Sequence, residues 1–300
     1  MRSPPWSKHK SGARAEQPPA PALDTAPRQA FLVSHHDTSS HVIAGAAPAG
    51  TQAVARALGL LKSFSDARPE WRLSELARAA RLHKATAHRL LAALEREGMV
   101  ARGASGETYR LGPEAIALGA RAVRANQLRA VSRAELEALA AATGETATLE
   151  VLVGGDMLIL DEVLGRGLIG ATASLGTRWP AHATSTGKAV LAALPQAERK
   201  GILGTRTRLA RHTERTITSA AALARELAEV GHRGYATAYE ELERGYVAVG
   251  AAVCDHEGRP IAAVSVGGPT VRLPVSRFPA VGRQVKAAAA RISGALGFRA

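Results

Sequence analysis

The chain has 300 residues, enough for two ordinary domains, and 46% of them are hydrophobic although only 4% are aromatic, so its cores must be built from Ala, Leu and Val. A formal net charge of +13 favours a polyanionic partner. No apolar run approaches the ~20 residues of a membrane-spanning helix, so no membrane partner is expected. The single cysteine, Cys254, excludes an intrachain disulfide and makes a reducing cytoplasm the expected compartment.

Residues 1–50 are rich in Pro, Ala and Ser, show neither helical nor strand period, and read as a disordered extension. They lack the apolar stretch of a secretory signal. His35, His36 and His41 stand there without the cysteine or carboxylate cluster of a metal site, so no metal is expected.

The segment 51–112 reads as a DNA-binding domain. Leu73, Leu76, Ala77 and Ala80 mark one face of a first short helix, and Ala87, Leu90, Leu91 and Leu94 mark one face of a second. Only Arg81-Leu82-His83 separates them. So short a connector forces a steep crossing with Leu82 filling the angle, and the first turn of the second helix then projects outward. That turn carries Lys84, Ala85 and Thr86, followed by His88 and Arg89. Gly98 supplies a left-handed stop. Strands over 99–102 and 108–111 flank the small-residue tip Ala104-Ser105-Gly106, and Arg102 and Arg110 lie on them. The pattern predicts a winged helix-turn-helix: Lys84, Ala85, Thr86, His88 and Arg89 in the major groove of double-stranded operator DNA, with Arg102 and Arg110 along the phosphates. A plain helical hairpin with a solvated basic face is the alternative. The conjunction of small Ala85, exposed cations and a basic wing favours DNA, and charge per residue is highest over this part of the chain.

Residues 113–143 read as linker helices. Pro113 suits a first helical position, and Ile116, Leu118, Ala120, Val123 and Leu128 continue a helix over 114–128, a candidate subunit contact. A second helix over 131–142 carries Leu136 and Leu139 and ends at Gly144. From 144 to 300 the apolar period changes to that of strands. Strands over 147–153 and 157–163 flank Gly154-Gly155-Asp156, and a third apolar stretch spans 168–175. The run 179–194 reads as a loop entering a helix, followed by helices over 196–203 and 220–230. Strands over 235–239, 247–255 and 260–266 come next, the last two joined at His256-Glu257-Gly258, and a helix over 276–296 closes the chain. Hairpins with helices between them predict an α+β antiparallel-sheet domain.

Enzyme signatures fail. Gly187-Lys188 lacks both the earlier glycine and the following Ser or Thr of a phosphate loop, since His182 and Ala189 stand at those positions. There is no nucleophile elbow, no His-Glu-x-x-His and no cysteine pair. His182 beside Ser185 lacks a third member and an oxyanion hole, and Cys254 ends an apolar run like an ordinary strand residue. No catalytic residue and no cofactor is expected.

In LSELARAARLHKATAHRLLAALEREGMV, PAHATSTGKAVLAAL and GYATAYEELERGYVAVGAAVCDHEGRPIAAVSVGGP, in that order and spacing, the chain resembles the IclR family of bacterial transcriptional regulators. The resemblance runs from about 51 to 297. It implies a winged helix joined by a linker helix to a GAF-like effector-binding domain, dimeric or tetrameric assembly, and control of transcription by a small metabolite, often an organic acid. It maps an effector pocket onto Leu168, Ala171, Ser185, Thr186, Ala238, Ala248, Ser265 and Gly267. Ala238, Ala248 and Gly267 replace polar residues frequent in the family, which implies a roomier and less polar pocket. The expected role is a repressor released by its effector; an activator of the same family or a ligand-independent architectural DNA-binding protein are the alternatives.

Overall fold

The computed structural model describes residues 50–65, 67–167, 175–204 and 208–299. The tail over 1–49, and Leu168 and Ala171 with most of the third apolar stretch, lie outside the described residues.

Helix α1 (Gln52–Leu61) leads into β1 (Trp71–Arg72), α2 (Leu73–Ala79), α3 (Lys84–Arg96), β2 (Val100–Arg102) and β3 (Thr108–Leu111). The three strands form an antiparallel sheet in the order β1-β3-β2. Leu60, Leu76, Ala77, Ala87, Leu91, Val100 and Tyr109 make the core, one apolar stripe from each helix meeting the inner face of the hairpin. Leu82 packs against that core between α2 and α3, while Arg81 beside it takes φ +54° to make the sharp turn. Gly98 adopts φ +68° where α3 ends. Helix α1 and strand β1 are additions to the pattern expected from sequence. Only Leu60 of α1 is fully buried, so its apolar period is weak, and β1 has just two residues.

Helix α4 (Pro113–Ala125) buries none of its residues. It stops earlier than the expected 128 because Asn126 leaves the helical region and caps α5 (Gln127–Thr143), its Oδ1 accepting the Arg129 amide at 2.9 Å. Leu128 thus belongs to the second helix. Leu136, Leu139 and Ala140 of α5, read from sequence as part of a linker, join the same core as the large sheet.

That sheet runs β6-β5-β4-β9-β8-β7 with every neighbour antiparallel. Its strands are β4 (Thr146–Val153), β5 (Asp156–Val163), β6 (Arg178–Pro180), β7 (Ala236–Tyr239), β8 (Tyr246–Cys254) and β9 (Pro260–Pro269). Helices α6 (Ser185–Ala193), α7 (Gln196–Leu203) and α8 (Ala220–Arg233) separate β6 from β7, and α9 (Phe278–Ala295) follows β9. Side chains alternate across a strand, so each strand serves two cores. Ala147, Leu149, Val247, Val249, Val264 and Val266 pack with α5 and α9, whereas Ala236 and Ala263 pack on the other face with Leu191 of α6 and Leu223 of α8. Among the described residues no helix is long and apolar enough to cross a membrane.

Candidate functional site

The outer side of α3 opens its first turn to solvent. His83 precedes the helix in an extended conformation and provides no side-chain cap, so the first-turn amides have no partner within the helix. Lys84, Ala85, His88 and Arg89 are exposed and Thr86 is half-buried. On the wing, Arg110 is exposed on β3. Arg102, expected at the phosphates, is exposed, with its Nε donating to Glu95 Oε1 of α3 at 3.2 Å and its guanidinium 4.1 Å over the Tyr109 ring. It braces the wing against α3.

The second candidate site lies where the face opposite α5 and α9 meets the start of α6. Because Ala147 and Leu149 point to the α5 side, Thr148 and Glu150 point to the other. Register then aligns Thr148 with Ser265 on β9, Ser265 with Gly250 on β8, and Ala248 with Ala238 on β7. Gly250 is needed there, since a Cβ would come within 3.1 Å of Ser185 Oγ and of the Thr186 amide. Gly187 is needed too: its missing side chain admits the Ala181 carbonyl, which explains the Gly-Lys pair as a packing feature. Thr184 caps α6, its hydroxyl accepting the Gly187 amide at 3.1 Å.

These elements enclose a cavity of about 50 Å³. Ser185, Thr186, Ala238, Ala248 and Ser265, which the family resemblance assigned to an effector pocket, line it together with Thr148, Glu150, Trp179, Glu241 and Tyr246, which the resemblance did not supply. Gly267 does not. A Cβ there would fall 2.1 Å from the Tyr246 hydroxyl, so the space expected over Gly267 is occupied by the tyrosine ring. The wall also carries a hydrogen-bonded polar group. Thr186 Oγ1 donates to Glu150 Oε2 at 2.7 Å, Thr148 Oγ1 donates to Glu150 Oε1 at 2.8 Å, and Thr148 lies 2.8 Å from Ser265 Oγ. Burial pushes the Glu150 carboxyl above the usual carboxylate range, the two hydroxyl donors only partly offsetting it.

Behind the wall, Lys188 Nζ donates to Glu241 Oε1 at 2.6 Å and lies 3.7 Å from Glu226 Oε1. Glu241 Oε2 is buried without a hydrogen-bond partner, and burial raises this carboxyl despite the attraction of Lys188. His182 is spent elsewhere. Its Nε2 lies 2.9 Å from the Ala210 carbonyl, which only accepts, and burial lowers the ring's affinity for a second proton. A charged residue inside an otherwise apolar strand (Glu150) or helix (Lys188) was the sequence signal for this network.

A family model described as "IclR helix-turn-helix domain" matches residues 53–104, and one described as "Bacterial transcriptional regulator IclR C-terminal" matches residues 120–294. The HTH-type transcriptional regulator XynR of Escherichia coli is 31% identical over 83% of this chain and 98% of its own length. The transcriptional repressor IclR of the same organism is 31% identical over 82% of this chain and 90% of its length. Among solved structures, an IclR homologue from Microbacterium hydrocarbonoxydans complexed with 4-hydroxybenzoate superposes with a TM-score of 0.68 at 28% identity, covering 81% of this chain and 98% of the other. The chain therefore belongs to the IclR family of bacterial transcriptional regulators.

Proposed function

We propose that this regulator represses its target operon by binding operator DNA through α3 and the wing, and that a small metabolite entering the α6 cavity changes that affinity. The carrying observation is that one chain combines an exposed basic helix start at Lys84 and Arg89 with a cavity between α6 and the large sheet. Repression is supported by the relative named as a repressor. A role on DNA supports a cytoplasmic homo-oligomer, since one recognition helix reads few base pairs and a twofold axis doubles the site. For the effector, the first-turn amides of α6 and the 4-hydroxybenzoate of the Microbacterium homologue support an organic acid. The carboxylates of the wall weigh against it.

The test is reciprocal linkage. A metabolite that weakens operator binding tenfold, about 1.4 kcal/mol, must itself bind tenfold more weakly to the operator complex. Ala248→Leu fills the cavity without touching the winged helix, so it should abolish the response and keep DNA affinity. A variant that still responds fully removes the cavity from the mechanism.

A further inference from the structure

The cavity has an unusual charge balance. Three of its lining residues, Glu150, Glu241 and Glu243, are carboxylic acids, and none is Lys, Arg or His. Glu150 is 5% exposed and its carboxyl is met only by neutral hydroxyls; among the described residues it has no ion pair. Burying a carboxyl this deeply without a counter-charge is costly unless the site has another use for it. The nearest buried cation, Lys188, is committed to Glu241 and Glu226 and does not line the cavity.

A second, independent feature points the same way. The Glu241 side chain is 9% exposed and lines the cavity; its carboxyl receives Lys188 and a backbone hydrogen bond from Tyr239, and among the described residues its Oε2 has no hydrogen-bond partner. A ligand carrying N–H groups would satisfy it, whereas a ligand carrying only acceptor oxygens would leave it orphaned. Trp179 adds an aromatic ring to the same lining.

Resting on the effector reading above, we propose that the cavity selects a small amine, whose ammonium group is received by Glu150 and whose remaining N–H reaches Glu241. Glu150 is then the specificity-determining residue: a bound ammonium gives its buried carboxyl the counter-charge that lets it ionise, whereas a carboxylate ligand supplies none. Thr148 and Thr186 hold its two oxygens in position from β4 and α6.

The experiment is a nuclear magnetic resonance titration of the full chain with butylamine, butan-1-ol and butyrate, which share one small apolar tail and differ in the group offered to the wall. Butylamine should bind at least tenfold more tightly than butyrate, with butan-1-ol between them. Glu150→Gln should lower butylamine affinity at least tenfold and leave butan-1-ol within about threefold, a pattern that general loosening of the fold does not produce. The wild-type ranking needs no variant, so it decides the matter even where Glu150→Gln folds poorly. Butyrate binding ahead of butylamine at this cavity, or an unchanged ranking in Glu150→Gln, overturns the amine assignment and leaves the effector reading standing. If none of the three binds and Ala248→Leu also leaves the response to every metabolite intact, both fall.

Discussion

Lys188 Nζ and Glu241 Oε1 meet at 2.6 Å with side chains only 1% and 9% exposed, tying the middle of α6 to the turn between β7 and β8. The pair fixes the helix whose first turn forms one wall of the cavity to the segment that carries Glu241, Leu242 and Glu243 of the opposite wall. A buried ion pair of this kind adds little over a well-packed apolar pair, but breaking it leaves a bare charge in the interior.

Lys188→Met should therefore destabilise the chain by about 3–5 kcal/mol in urea unfolding. Adding Glu241→Leu should recover most of that loss, because the uncompensated carboxylate is removed with its partner. Additive losses in the double variant would show that the two residues act independently. The double variant should also lose the N–H acceptor in the cavity, so recovered stability and lost amine affinity are expected together.

On the DNA side, Arg89→Ala should cost about 1–3 kcal/mol at one or two base positions. Arg110→Ala should weaken all sequences alike and lower the salt slope by about one. Arg102→Ala has a different expected signature. Its guanidinium is held by Glu95 and Tyr109, so its loss should loosen the wing, with a small drop in thermal stability and a secondary effect on affinity. Anisotropy titrations against a mutated operator series, at two salt concentrations, separate the three. An Arg102 variant of wild-type stability with a reduced salt slope would restore it to the phosphates.

The winged helix was legible because each of its steps has a local cause: a short connector, an apolar stripe on either side, a glycine stop and a small-residue hairpin tip. Helix α1 left a fainter trace, since Val54 and Leu58 of its apolar set point to solvent and Leu60 alone is fully buried. In the large sheet the strands were readable from their alternation, and that same alternation places Thr148 and Glu150 opposite Ala147 and Leu149. What alternation cannot supply is pairing between distant strands. Ser265 meets Thr148 across 117 positions, and Tyr246 covers Gly267 from the neighbouring strand. A glycine in place of a larger residue reads as space in a sequence, while the fold decides which ring fills it.

The exposed apolar residues Val54 and Leu58 of α1 and Ile116 and Leu118 of α4 are 60%, 49%, 72% and 46% accessible in the single chain. They mark the expected subunit contact, which extends the sequence reading from α4 to α1. Ile116→Glu should shift the sedimentation coefficient toward monomer at micromolar concentration and weaken operator binding with it, since two linked helices read more than one. An Ile116→Glu chain that remains wholly oligomeric would move the contact to another surface.

Glu150 also makes stability depend on pH in a direction that can be worked out beforehand. Burial raises its carboxyl above the unfolded value, which for glutamate is about 4.3. Below that value both states hold the proton and the residue contributes no difference. Above it the unfolded chain releases the proton while the folded chain retains it, so the unfolded state gains and stability falls as pH rises, until the folded carboxyl ionises as well. Glutamine at this position cannot ionise and keeps an acceptor and a donor for Thr148 and Thr186. Glu150→Gln should match the wild type below the unfolded glutamate value and exceed it by a margin that widens as pH rises above that value, levelling off once the folded carboxyl ionises. Glu241 is shifted in the same direction, so total stability does not isolate Glu150; the difference between variant and wild type at each pH does. The measurement is the urea midpoint of both chains across that range without ligand. A saturating amine should then close the gap from the wild-type side only, by supplying the counter-charge the ionised carboxyl lacks, and a gap that stays constant with pH would mean that Glu150 is ionised at no extra cost in the folded chain.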